Sequence, residues 1–321
     1  MHEGSFKSYI DEDREYFIFR DAADLSHEVH RDFPLMESLV SFTELDFAAM
    51  EDRFMQIDMQ FYRLQPGCSK DVEAEILDKV SQQLFDLAEQ HIVFEWLRLD
   101  YAERFEELRN AEEPDYRGVL FNTSMRFMLN RFTDIQEKLR WMLQDVFNAH
   151  PGEKISYRSR MVAYKNANFF FPFSALTTRL EMVSDHSFSE VLYARDALDI
   201  IDFYLRECLI RQLTARRCKH CGRWFFLTGH LGLEYCERTD NGRGRTCREI
   251  GASALWVKSK NDDRVFMAYR REYKKRNAWM QTGKLERKQY DAWCRQAKAM
   301  RDDCAAGKLS FEDYTAWLKK V

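Results

Sequence analysis

Glycine and proline are scarce, with 12 Gly and 5 Pro among 321 residues. So few breakers argue against a many-turned β fold and for long helices. No apolar run approaches the roughly 20 residues that cross a bilayer; the longest cluster, Phe169-Phe170-Phe171-Pro172-Phe173, is far shorter. The opening stretch MHEGSFKSYIDEDREYF lacks the basic start and apolar core of a secretory leader, so a cytoplasmic location is expected. In that reducing compartment clustered cysteines point to metal or catalysis rather than disulfides. Missing too are GxxxxGK[ST], GxGxxG after a strand, GxSxG and HExxH, so no enzyme is expected, and an enzyme with an unrecognised N-terminal site stands only as a third reading. His27-Glu28-Val29-His30 falls one residue short of the last motif and reads as helix surface. The acidic run Asp11-Glu12-Asp13 reads as solvent-facing rather than as paired catalytic carboxylates.

What is present is a charge asymmetry. The net charge is −4, but residues 211–321 hold 26 Lys+Arg against 13 Asp+Glu, which leaves −17 on residues 1–210. An acidic body thus carries a basic C-terminal third, a distribution that bears on partners rather than on fold.

Periodicity points to a mainly α protein: a helical N-terminal domain, a small four-cysteine zinc-finger module of treble-clef or ribbon-like form, and a helical C-terminal tail. Residues 1–150 read as successive amphipathic helices, with Ile76, Val80, Leu84 and Leu87 at helical spacing. Residues 151–186 are less regular and have room for a short strand or two. A helix is expected from Ser187, because Ser187 with Glu190 three residues on fits a capping box. Leu198, Ile201, Leu205 and Cys208 continue it and put Cys208 on the buried stripe. The expected divisions are 1–186, acidic and mostly helical; 187–215, a connecting helix; 216–252, the zinc module; and 253–321, a basic helical tail.

That tail contains a repeat with an offset of 24 residues, GKLERKQYDAW at 283–293 and GKLSFEDYTAW at 307–317. Gly307 suits a left-handed helix end, Ser310 suits a cap with Asp313 at its third position, and Leu309 suits a staple onto Tyr314. Glu286 and Gln289 fill the equivalent cap positions less well. The offset aligns Cys294 with Leu318 and Cys304 with Met280, which assigns both cysteines to apolar positions; Cys68, beside Pro66-Gly67, reads as a turn residue.

The remaining cysteines form Cys218-x2-Cys221-x14-Cys236-x10-Cys247. A C-x2-C pair lets a tight turn aim two sulfurs at one ion, and four thiolates close a tetrahedral zinc site with no open position for chemistry. One structural Zn²⁺ is therefore expected, held by Cys218, Cys221, Cys236 and Cys247. His220 and His230 stand as alternatives to Cys247, and Trp224, Phe225, Phe226 and Tyr235 are expected to pack over the site.

The segments RRCKHCGRWFFLTG, EYCERTDNGRGRTCREIGA, YRREYKK and GKL…YDAW resemble a family of uncharacterised bacterial proteins known only as a domain of unknown function. Its members carry a helix followed by CxxCGxxF, YC and RTCxEIG. The resemblance covers roughly 188–321, is strongest over 216–251, and does not reach 1–150. The layout is more loosely similar to zinc fingers of the CGNR type, which implies DNA binding, but Cys247-Arg248-Glu249-Ile250 stands where that type has Cys-Gly-Asn-Arg.

Two binding roles follow. Arg270, Arg271, Lys274 and Lys275 share one helix face beside a stripe of Phe266, Tyr269, Tyr273 and Met280, and Arg216, Arg217, Arg223, Arg243, Arg245 and Arg248 surround the cysteines. This surface is suited to DNA or RNA phosphates, with Arg243, Arg245, Arg248, Arg270, Arg271, Lys274 and Lys275 as contacts. In the alternative, the protein is an interaction or scaffold module with purely structural zinc, its basic third docking on acidic helices of its own chain or of a protein partner. No membrane is expected as a partner.

Overall fold

The structure is a computed structural model that describes residues 6–21, 24–120, 124–148, 155–165, 171–239, 244–251 and 263–320. The chain divides into two compact units, Met1–Cys218 with Gly222–Glu234, and Lys219–Cys221 with Tyr235–Val321.

The first unit contains a sheet, which corrects the mainly α expectation. Strands β1 (Phe6–Asp11), β2 (Arg14–Asp21), β3 (Asp24–Pro34), β4 (Thr178–Ser184) and β5 (Ser187–Tyr193) form one antiparallel sheet in the order β3-β2-β1-β5-β4. The signal overlooked is a period of two: Phe6, Ser8 and Ile10 are buried along β1 while Lys7, Tyr9 and Asp11 are half-buried. The acidic run is a hairpin corner, with Glu12 and Asp13 as the two turn residues and Glu12 in the left-handed region at φ 51°. His27 to His30 lies in β3, so there is no helix surface there.

The capping signal at Ser187 is overturned as well. Ser187 opens β5, where Phe188, Val191 and Tyr193 suit a strand. The helix starts ten residues later as α8 (Ala197–Ile210), with a complete capping box. The Asp196 carboxylate accepts from Leu198 N at 2.8 Å, and Asp199 accepts from Asp196 N at 3.1 Å. Ile201, Leu205 and Cys208 are buried on α8, and burial pushes the Cys208 thiol well above its ordinary value, which leaves it inert.

Between the two hairpins run α1 (Glu37–Glu44), α2 (Phe47–Phe61), α3 (Lys70–Ala88), α4 (Ile92–Asn110), α5 (Tyr116–Leu120), α6 (Met125–Met142), a π-helical turn (Leu143–Phe147) and α7 (Tyr157–Lys165). Ile76, Val80, Leu84 and Leu87 are buried along α3 as their spacing predicts. The stretch from 71 to 110 is two helices, because the imidazole of His91 caps α4 by accepting from Val93 N at 3.2 Å. The phenyl rings of Phe42, Phe47, Phe54, Phe94 and Phe132 pack edge-to-face and stacked in the centre of this unit. Sheet and helices meet where Tyr204 of α8 packs 5.6 Å from Phe17 and shares a 2.5 Å hydrogen bond with Ser8.

In the second unit α10 (Arg264–Gln281), α11 (Arg287–Ala305) and α12 (Phe311–Lys319) enclose a core of Tyr269, Trp293, Ala297, Cys304, Tyr314 and Leu318. The repeat performs the same helix ending twice. Gly283 and Gly307 both take φ 74°, with Lys284 N bonded to Trp279 O and Lys308 N to Asp303 O. Ser310 caps α12 by accepting from Asp313 N at 3.1 Å, whereas Glu286 makes no side-chain cap on α11. Cys304 is buried and Cys294 packs partly buried against this core, as the repeat alignment requires; Cys68 sits half-buried after the turn Pro66-Gly67. No helix among the described residues is long and apolar enough to cross a membrane.

Candidate metal centre

Strands β6 (Ala215–Arg217) and β7 (Trp224–Phe226) pair antiparallel and hold Cys218 to Arg223 as a tight connection. Cys218 N donates to Arg223 O at 2.8 Å and Gly222 N to Cys218 O at 2.9 Å. Gly222 has φ 75°, a conformation that side-chain-bearing residues rarely adopt, and this turns the amide backbone around the first two cysteines. Trp224 and Phe226 belong to the core of the first unit, where Phe226 meets Phe147 at 5.6 Å.

The other two cysteines are set by a second local structure. Thr239 and Thr246 form an antiparallel bridge, Cys247 N donates to Arg238 O at 2.9 Å, and Arg248 N donates to Cys236 O at 3.0 Å. Cys247 is the first residue of helix α9, whose described part is residues 247–251. Thr246 and Glu249 cap it reciprocally, Thr246 N donating to the Glu249 carboxylate at 2.9 Å and Glu249 N to Thr246 Oγ1 at 3.2 Å. The S/T-x-x-E signature of this box is readable in TCRE.

The four Sγ atoms lie within 4.8 Å of one another, and no histidine, aspartate or glutamate joins this group among the described residues. His220 and His230 are exposed and outside it. Cys221 Sγ and Cys236 Sγ are 3.7 Å apart, and none of the four cysteines is in a disulfide. Four sulfurs at about 2.3 Å from a tetrahedral ion stand about 3.8 Å from each other, so the donor set fits a closed four-thiolate metal site. Cys218, Cys236 and Cys247 are buried and Cys221 is exposed.

The arginines near the cysteines have structural work. Arg216 is buried and donates to Leu231 O at 3.1 Å and Leu233 O at 2.7 Å. Arg217 lies 4.7 Å over the Trp224 ring and donates to Gly222 O. Arg223 pairs with Glu44 and stands 3.9 Å from Glu37, both on α1. Arg248 pairs with Glu237 at 2.7 Å, and Arg245 donates to Glu249 O. Arg243 lies outside the described residues.

On α10, Arg271, Lys274 and Lys275 are exposed and Arg270 is half-buried. Lys275 is 3.6 Å from Glu272 and lies over Trp279. Arg270, Arg271 and Lys274 make no ion pair among the described residues. Of the apolar stripe, Tyr269 is buried, Phe266 and Met280 are half-buried, and Tyr273 is exposed. The neighbouring Arg276, not singled out by the pattern, is buried over Trp293 and caps the end of α12 by donating to Leu318 O and Lys320 O.

Residues 176–318 match the model of a family described as a family of unknown function, DUF6076. The match spans the C-terminal part of the chain from β4 to α12 and starts somewhat earlier than the resemblance in sequence. No curated protein and no solved structure matches the chain.

Proposed function

We propose that this is an accessory protein acting by binding rather than catalysis, in which Cys218, Cys221, Cys236 and Cys247 hold one structural Zn²⁺ and the basic C-terminal unit binds nucleic-acid phosphates. Zinc is favoured because an all-thiolate tetrahedral donor set suits it and closes the coordination sphere. The observation that carries the nucleic-acid reading is the cationic face of α10, where the exposed Arg271 and Lys274 and the half-buried Arg270 have no acidic partner among the described residues. Alongside, a cleft of about 500 Å³ between α10 and α12 is lined by Arg264, Arg271 and Lys319 together with Glu272. Such a face displaces counterions from a phosphate backbone without reading bases. The arginines close to the cysteines contribute less, since Arg216, Arg217, Arg223 and Arg248 are committed to acceptors of their own chain.

The test is fluorescence anisotropy of mixed-sequence duplex and single strands across a salt series. Binding should weaken linearly in log–log with salt, and charge reversal at Arg270, Arg271 and Lys274 should each reduce the slope by about one. Absence of binding at low salt would refute this reading. A second reading, a protein-interaction module, is favoured by one observation: Arg223 of the knuckle is already engaged with the acidic residues Glu44 and Glu37.

A further inference from the structure

The two edges of the five-stranded sheet are built differently. On β3 the backbone ends in Pro34, and Glu28 and Asp32 are tied to Arg20 and Arg14 of β2, a charged and proline-stopped edge that resists pairing. At the other end β4 is the last strand among the described residues, and it has no proline.

The face that β4 presents is also unusual. Ser8 of β1 stands opposite Leu192 of β5, and both are fully buried against the helices. Leu192 stands opposite Thr178, so by alternation Thr178, Leu180 and Met182 continue the core-side face of the sheet. Beyond Thr178 that face is uncovered: Leu180, Met182 and the cross-strand neighbour Phe188 are 75%, 64% and 69% exposed. Leu180 and Met182 on the edge strand and Phe188 on its neighbour β5 are three large apolar side chains, with Glu190 opposite Leu180 on the same face, that a pairing partner would cover.

The charges on the opposite face specify which partner. Arg179 lies 4.8 Å over the Tyr193 ring, and Glu181 is held by Lys7 at 3.3 Å and by the Tyr193 hydroxyl. When β4 meets an antiparallel copy of itself centred on Leu180, each Arg179 stands opposite the other chain's Glu181. Leu180 then meets Leu180, and each Met182 meets Thr178, on the apolar face. Registers centred on Arg179 or Glu181 place like charges opposite each other, which is unfavourable, and a shift to an odd register is forbidden because it swaps the faces. We propose that β4 pairs with β4 of a second copy about a two-fold axis at Leu180, joining two five-stranded sheets into one. The sequence RLE is self-complementary in this register, as an isologous contact requires.

Sedimentation equilibrium of the full chain over a wide concentration series tests this. The wild type should dimerise, and Leu180→Asp and Arg179→Glu, both at exposed positions, should each weaken the dimer by about tenfold or more. Glu181→Arg should do the same, and an equimolar mixture of the Arg179→Glu and Glu181→Arg chains should dimerise again, since one then offers two carboxylates and the other two guanidinium groups. Circular dichroism of each variant verifies that the sheet is retained. A wild type monomeric throughout, a dimer indifferent to Leu180→Asp and Arg179→Glu, or dissociation with no recovery on mixing would overturn the proposal.

Discussion

The ring of Tyr235 lies directly against Gly251, so close that a Cβ on Gly251 would overlap Cδ1 and Cε1 of the tyrosine. Gly251 is in α9, four residues beyond Cys247, and Tyr235 immediately precedes Cys236. The contact therefore fixes the spacing of the third and fourth sulfurs, and it gives a physical reason for the glycine that closes RTCREIG. Gly251→Ala should push ring and helix apart at a cost of about 1–3 kcal/mol. Chelator competition should strip metal faster from this variant, while far-UV circular dichroism of the remaining helices is preserved.

The peptide group of Ser38 joins two buried ionisable side chains. Its N–H donates to Glu15 Oε2 at 3.0 Å, and its carbonyl is 2.8 Å from His91 Nε2. Since His91 Nδ1 accepts from Val93 N, the ring proton sits on Nε2 and is donated to Ser38 O. Burial raises Glu15 from 4.5 to about 8, and burial lowers His91 from 6.5 to about 4. The folded chain thus keeps a proton on Glu15 that the unfolded chain sheds. The stabilisation from that proton is complete below pH 4.5, declines as pH rises, and is gone above about 8. For His91 the sense is opposite: its contribution is complete above pH 6.5 and is lost as pH falls towards 4. Glu15→Gln should remove the alkaline loss, so the fall in melting temperature between pH 6 and pH 9 should be smaller in the variant. Each pH unit in that window over which Glu15 stays protonated only in the folded chain is worth roughly 1.4 kcal/mol.

Much of this was written in the sequence at the level of caps and spacings, and less at the level of the sheet. The repeat gave the helix ends at Gly283 and Gly307 and the Ser310 cap because each rests on a few adjacent residues with one mechanical role. The cysteine spacing led to a cluster that the fold does bring together. The strands were lost for two reasons. Alternation in FKSYID and REYFIFRD runs over only six and eight residues, and β1 finds its neighbour β5 some 180 residues away, a pairing that no local signal announces. Ser187 with Glu190 shows the same limit, since a cap sequence at the start of a strand loses to cross-strand pairing.

Two neighbouring arginines should behave unequally. Arg216 is buried with two carbonyl acceptors, so Arg216→Met should cost about 1–3 kcal/mol by leaving Leu231 O and Leu233 O without a donor. Arg223, half-exposed beside Glu44, should cost under about 1 kcal/mol when changed to alanine. Urea denaturation of both variants checks the order, and neither change should alter the salt slope of nucleic-acid binding.

Within the tail, copying one repeat onto the other should stabilise it. Glu286 makes no side-chain cap on α11, whereas Ser310 caps α12. Glu286→Ser should add about 0.5–1 kcal/mol. Gly307→Ala, forced into φ 74°, should cost about 1–2 kcal/mol. Thermal melts of the two variants should move in opposite directions.

The most direct measurement is native mass spectrometry of the purified chain beside Cys221→Ser. One zinc ion per chain is expected in the wild type, and in the variant no zinc, with the helical signal of the N-terminal unit intact. Full zinc retention by Cys221→Ser, or a metal-free wild type with all four thiols open to alkylation, would contradict the four-thiolate zinc site.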